Sequence, residues 1–288
     1  MTPEDNDKLS LTLLLEYSAN LPTSPRIFSR LDKLIQDEDV ALDYIASLLK
    51  TDPGLSAHIL RVTNSAFYGA AVKVTSMEAA ISRIGFQELR NILGQIVEHD
   101  SFFQALPCYG ISATEFSNQS LNVAIAAETL AKRTGTDSDI AYITGLLHAI
   151  GKLSIDLYLH KREREFDIPQ KAGGMEITQF ELARFGISHY RAGAELLKHW
   201  QYDGAIWQAI KNLAWPQHAV AFKAPTATLV VAIWIPAQLN GYNSDEPLPT
   251  SLKWALNELR ISALDLPSII DECRFEINDR HNQLSMLL

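Results

Sequence analysis

Apolar residues recur along the chain at three- and four-residue intervals, the spacing that places them on one face of a helix. Leu9 to Tyr17 reads as a short amphipathic helix. Leu21-Pro22-Thr23-Ser24-Pro25 is a loop leading into a helix from Pro25, where Ile27, Leu31, Leu34 and Ile35 share a face. The acidic turn Asp37-Glu38-Asp39 separates it from Val40 to Leu49. Asp52 is placed to cap the next helix, with Pro53 in its first position and Leu55, Ile59, Leu60 and Val62 along it. Asn64-Ser65-Ala66-Phe67-Tyr68-Gly69 is a turn, Ser76 caps Met77 to Ile84, Gly85 breaks the run, and a further helix extends from Phe86 to His99.

A second helical block follows. Thr114 to Arg133 turns Leu121, Ile125 and Leu130 inward, with Gly135 just past its end. Asp137 to about Leu159 is a helical stretch in which His148 and Gly151-Lys152 read as a helix–helix contact with a Gly bend; the charged stretch Lys161-Arg162-Glu163-Arg164-Glu165 and the loop Ala172-Gly173-Gly174 follow. Ile177 to Phe185, His189 to Trp200 and Ala205 to Leu213 are three more helices. After Pro216 come the mostly buried helix Pro225 to Leu239, the polar loop Asn240 to Pro249, and the amphipathic helices Ser251 to Arg260 and Pro267 to Leu287. No strand alternation, heptad or repeat stands out, and an all-α fold is predicted.

Composition narrows the function classes. A net charge of -9 on 288 residues works against non-specific binding to phosphate backbones or anionic membranes. Cys108 and Cys273 lie far apart and lack close metal-ligand spacing, so two buried thiols in a reducing compartment are expected. The polar, acidic start from Met1 to Lys8 does not resemble a secretory signal, and the apolar run Leu229 to Ile235 is too short to span a bilayer. A cytoplasmic protein without a membrane segment is the expectation.

Two blocks of residues carry a family resemblance. The first is Leu21-Pro22, then Asp52-Pro53-Gly54-Leu55-Ser56, Arg61-Val62-Thr63-Asn64-Ser65-Ala66-Phe67-Tyr68-Gly69, and Val74 to Ile81 with Ile84-Gly85 and Leu89-Arg90. The second is Leu146-Leu147-His148 with Gly151-Lys152, and Ser188-His189-Tyr190-Arg191-Ala192-Gly193 with Leu196-Leu197 and Trp200. Together they resemble the HDOD domains, the output-domain relatives of the HD metal-dependent phosphohydrolases, over about Leu21 to Leu239. The resemblance implies an HD-like multi-helix fold: an N-terminal helical lobe over 1–110, an HD-like lobe over 111–240 and a C-terminal helical extension over 241–288.

It also implies where metal ligands would stand. His148 matches the central ligand histidine and His189 a further one. Four other positions carry no such group: Gln119 replaces an early histidine, Ala149 the aspartate paired with the central histidine, and Leu213 and Ala214 a later histidine. A late aspartate falls near Trp234. A methyl group cannot coordinate a cation, and a catalytic centre needs several converging ligands to activate water. No metal and no cofactor are therefore expected, and His148 and His189 read as satisfied core histidines in a pseudoenzyme.

Other candidates are Arg61, Asn64, Tyr68, Arg90 and Lys152, as ligand or partner contacts. Each has a plainer reading. Arg61 and Arg90 are solvated surface arginines, Asn64 a local backbone clamp, and Phe67 and Tyr68 rings docking a helical corner into the core. His58, His99, His160, His199, His218 and His281 form no metal-binding spacing and read as surface or helix-end residues.

The function expected from the resemblance is a non-catalytic regulatory module of bacterial signalling. The module takes up nearly all of the chain, so its signalling partners are expected in trans. A residual metal-dependent phosphohydrolase acting on a nucleotide or phosphoester is the alternative. Nucleic-acid or nucleotide binding, prompted by the turn at Gly85, is the third class; the mixed charges of Arg83, Glu88 and Arg90 argue against it.

Overall fold

The computed structural model describes residues 8–18, 31, 40–68, 72–98, 105–162, 168, 174–239 and 247–287. The predicted helix beyond Pro25, Gly69 and most of the loop after Asn240 lie outside them. The fold is all-α. Its first helices are α1 (Leu11–Tyr17), α2 (Leu42–Leu49), α3 (Pro53–Thr63) and α4 (Met77–Glu98). The Asp52 carboxylate accepts from the Leu55 amide at 2.7 Å, with Pro53 in the first turn, so the predicted start of α3 is observed. Gly85, at φ 77° and ψ 166°, bends α4 where the break was expected; a left-handed φ there strains any residue with a Cβ.

The second block begins with α5 (Ala113–Thr134), opened by a reciprocal Ser112–Glu115 capping box. The helical stretch predicted from Asp137 to Leu159 is two helices, α6 (Ser138–Leu147) and α7 (Ile150–Lys161), with His148 and Ala149 at the break. Then come α8 (Gly174–Phe185), α9 (His189–His199), α10 (Gly204–Asn212), α11 (Lys223–Gln238), α12 (Thr250–Leu259) and α13 (Leu266–Leu287). The expectation of no strands also needs correction. β1 (Ala105–Leu106) pairs antiparallel with β2 (Ile111–Ser112), in the register Ala105 to Ser112 and Leu106 to Ile111. Two residues per strand are too few for alternation to show in the sequence.

The break between α6 and α7 is flanked by two close backbone contacts. α7 lies on α9 with its backbone almost touching. A Cβ on Gly151 would fall far inside van der Waals contact distance of the His189 carbonyl oxygen and 2.6 Å from the Gly193 amide nitrogen. On the other side of the break, a Cβ on Gly145 would sit 2.7 Å from the Ala124 Cα of α5. His148 and Ala149, where the helix breaks, lie between these two contacts.

Around this joint a continuous apolar core runs from Leu14 on α1 to Leu284 on α13. α1 packs on α7 and α9, and α13 lies along α5. Polar contacts fasten that last helix: Arg133 to Glu272 at 3.1 Å, Arg280 to Glu128 at 3.3 Å, and His281 Nε2 to Asn122 Oδ1 at 2.7 Å. Being partly solvated, such pairs add little stability and mainly set register. Both cysteines are buried free thiols, as expected. Ser138–Lys161, which the sequence reading did not single out as a candidate span, is long and apolar enough to cross a membrane by length and composition, and 78% of its most apolar window is buried inside the protein.

Gly151→Ala is expected to destabilise the fold by about 3 kcal/mol, because a backbone contact cannot relax as a side chain does. Urea unfolding of the two proteins measures it; an alanine variant as stable as the wild type contradicts the contact.

Candidate functional site

His148 closes α6, and its half-buried ring folds back so that Nδ1 lies 2.7 Å from the Gly145 carbonyl oxygen. A carbonyl only accepts, so Nδ1 carries the proton and Nε2 keeps its lone pair in the neutral ring. His189 opens α9 beneath a Ser188 cap and is buried. Its Nδ1 lies 2.7 Å from Glu181 Oε2, and its backbone amide donates to the same oxygen at 2.7 Å. The other carboxylate oxygen of Glu181 accepts from the Tyr109 hydroxyl at 2.7 Å. Glu181 is fully buried, and these three donors compensate its charge.

Lys152, one turn into α7, completes the cluster. Its Nζ lies 5.6 Å from the centre of the Tyr109 ring, and the Glu181 charge favours its protonated form. Burial nevertheless lowers its pKa, the larger of the two effects. Burial also holds His148 down at about 3 against the opposing pull of its Gly145 hydrogen bond, and lowers His189 despite Glu181. Both imidazoles are therefore neutral at pH 7 and turn an unprotonated Nε2 away from their acceptors.

Glu181 and Tyr109 were not anticipated. One signal was available for Glu181: Ile177, Glu181 and Phe185 stand four apart, so a carboxylate falls on the inward stripe of α8. Tyr109 reaches the cluster from a 3₁₀ turn, Pro107–Tyr109, between the two short strands, which no periodicity announces. Asp156, one turn beyond Lys152, anchors that turn by accepting from the Cys108 amide at 2.9 Å.

The other candidates do not join this cluster. Asn64 is fully buried, and its amide bonds both backbone groups of Val74, at 3.0 and 2.8 Å. Arg61 is not a solvated arginine: it is half-buried, stacks over the Trp200 ring at 5.1 Å and contacts His58 Nδ1 at 3.3 Å. His58 is correspondingly no surface residue, and burial takes its pKa down to about 4. The Tyr68 hydroxyl donates to Glu88 on α4. The side chain of Arg90 lies outside the described residues. Phe67 corrects the expectation of a docked corner: it is 86% exposed, because the Asn64 amide, not aromatic packing, closes the turn.

The HDOD family model matches residues 21–215. The chain belongs to the HDOD family. Two solved structures share its fold at low identity. The MmoQ response regulator of Methylococcus capsulatus str. Bath is 23% identical with a TM-score of 0.69, over 87% of this chain and 98% of that one. A virulence factor of Campylobacter jejuni subsp. jejuni is 20% identical with a TM-score of 0.70, over 94% and 100%. An uncharacterized protein of Treponema pallidum (strain Nichols) is 25% identical over 245 residues, 81% of this chain; the chain spans 45% of the length of that relative.

The HD ancestry of the HDOD family raises the question of a metal. Two neutral imidazoles held through Nδ1 are oriented as metal-bound histidines are. The rest of a ligand set does not fit. Gln119 is exposed on α5, Ala149 offers a methyl group, and Leu213 and Ala214 are buried apolar residues. Among the described residues no three His, Cys, Asp or Glu side chains converge as a metal site.

Neutral buried histidines make stability depend on pH. His148 has a folded pKa near 3 and an unfolded value of 6.5. As pH falls below 6.5 the unfolded chain takes the proton first, so stability present above that pH is lost towards 3, at about 1.4 kcal/mol per pH unit at most. His148→Gln is expected to lose less stability than the wild type between about pH 7 and pH 5. Urea titrations at the two values test this, and equal losses contradict a neutral His148.

Proposed function

We propose that this HDOD protein is a non-catalytic regulatory module of bacterial signal transduction, acting through protein–protein contacts from the cytoplasm. The observation that carries the proposal is the corner between α3 and α4. Phe67 is 86%, Val72 71% and Phe86 39% exposed. The corner's described residues are also pinned. Asn64 clamps Val74, Tyr68 bonds Glu88, and Arg83 donates to the Val72 carbonyl at 3.0 Å, so both flanks of the Gly85 bend hold it. Apolar side chains on a fixed frame are what a partner surface requires, since little ordering entropy is spent on binding. The family membership and the incomplete ligand set support the same reading. The partners are signalling proteins supplied in trans, and neither nucleic acid nor membrane is among them.

A residual phosphohydrolase is a second reading, favoured by the two Nε2 lone pairs at His148 and His189. It lacks an acidic ligand at Ala149, and the Glu181 carboxylate of the cluster is already engaged by Tyr109 and His189.

The first reading is tested by capturing partners from the native host on immobilised full chain. Phe67→Ser is expected to lose the partner that the wild type retains, with unchanged thermal stability. Phe275→Ser, which alters a 68% exposed ring on α13, is expected to retain it. Equal capture by all three proteins contradicts the assignment of the corner.

A further inference from the structure

A cavity of about 320 Å³ opens beside the histidine cluster, between α8, α9, α11 and the start of α12. Its walls are Tyr190, Leu213, Val230, Ile233, Trp234 and Leu252, with Thr178 and Ser251 supplying hydroxyls. Tyr190 stacks against His189 with ring centres 4.0 Å apart, and Thr178 is one turn from Glu181, so the cavity adjoins the polar cluster. None of its described lining residues is Asp, Glu, Lys, Arg or His. Leu213, Ala214 and Trp234, the positions where the HD resemblance implies metal ligands, all line it. The failed fit to a metal centre thus has a positive counterpart: the same place is a cavity with aromatic and aliphatic walls.

We propose that this cavity binds an uncharged, largely apolar small molecule. Volume and chemistry together select that class. The volume is at the small-molecule end of ligand pockets, and too small to bury the face of a partner helix. A phosphate ester or other anion entering it would lose its hydration and find no cation, a cost that excludes it. An aromatic or branched aliphatic body gains contact with the Trp234 and Tyr190 rings, and a single neutral polar group meets Ser251. The site lies on the opposite block of helices from the Phe67 corner. Its occupancy is therefore an input separate from the partner surface, and the two fail or stand independently.

The test uses two fluorophores on the full chain: uncharged N-phenyl-1-naphthylamine, and anilinonaphthalene sulfonate, the same ring system with a negative group. The uncharged probe is expected to saturate a single site, with the sulfonate at least about tenfold weaker. Ala214→Phe fills the cavity floor. Ala237→Trp fills the rim from an exposed position, so it keeps the question open to measurement even if the first variant does not fold. Each is expected to weaken the uncharged probe by about tenfold or more through steric overlap, and Phe67→Ser is expected to bind it as the wild type does. Non-saturating binding, equal binding of the sulfonate, or unchanged affinity in a folded Ala237→Trp chain overturns the proposal.

Discussion

Gly151 lets the first turn of α7 rest directly on the backbone of α9, and the arrangement of the polar centre follows from that contact. With α7 and α9 this close, Lys152 and His189 share one buried space. His148 stands at the break just before this contact, with its ring folded back on the Gly145 carbonyl. Glu181 then fills the remaining gap, where the amide and ring of His189 and the hydroxyl of Tyr109 meet its charge. Without those donors a buried carboxylate would cost several kcal/mol.

The resulting centre keeps the supports of a metal site and lacks its acidic and outer ligands. Hydrogen bonds from Nδ1 to a carbonyl or carboxylate orient a histidine for coordination. They also satisfy a buried imidazole with no metal at all. Here the surrounding positions decide between the two uses. Leu213, Ala214 and Trp234 surround a hydrophobic cavity, Ala149 offers only a methyl group, and Gln119 faces solvent. The centre stands beside a small apolar chamber, and Phe67 and Val72 are exposed at a separate corner of the fold.

Much of this was legible in the residues. Asp52-Pro53 announced the start of α3 because capping is local, and Gly85 marked the bend of α4 because φ there is positive. The string from Asn64 to Tyr68 pointed to a turn, but not to which of its groups would be buried: the polar Asn64 went in and the aromatic Phe67 stayed out. The glycine bend beside His148 was legible, but the backbone contact at Gly151 was hidden, because its partners lie about forty positions later. Glu181 was hidden for the same reason, since its partners come from α9 and from a 3₁₀ turn far earlier in the chain.

The central claim is that an HD-like fold here works without hydrolysis. Metal content and hydrolysis of bis(p-nitrophenyl) phosphate, measured together on full chain purified without chelator, test it most directly. The account predicts substoichiometric manganese, iron and nickel, and no turnover that His148→Ala removes. Stoichiometric metal with turnover abolished by His148→Ala would contradict it.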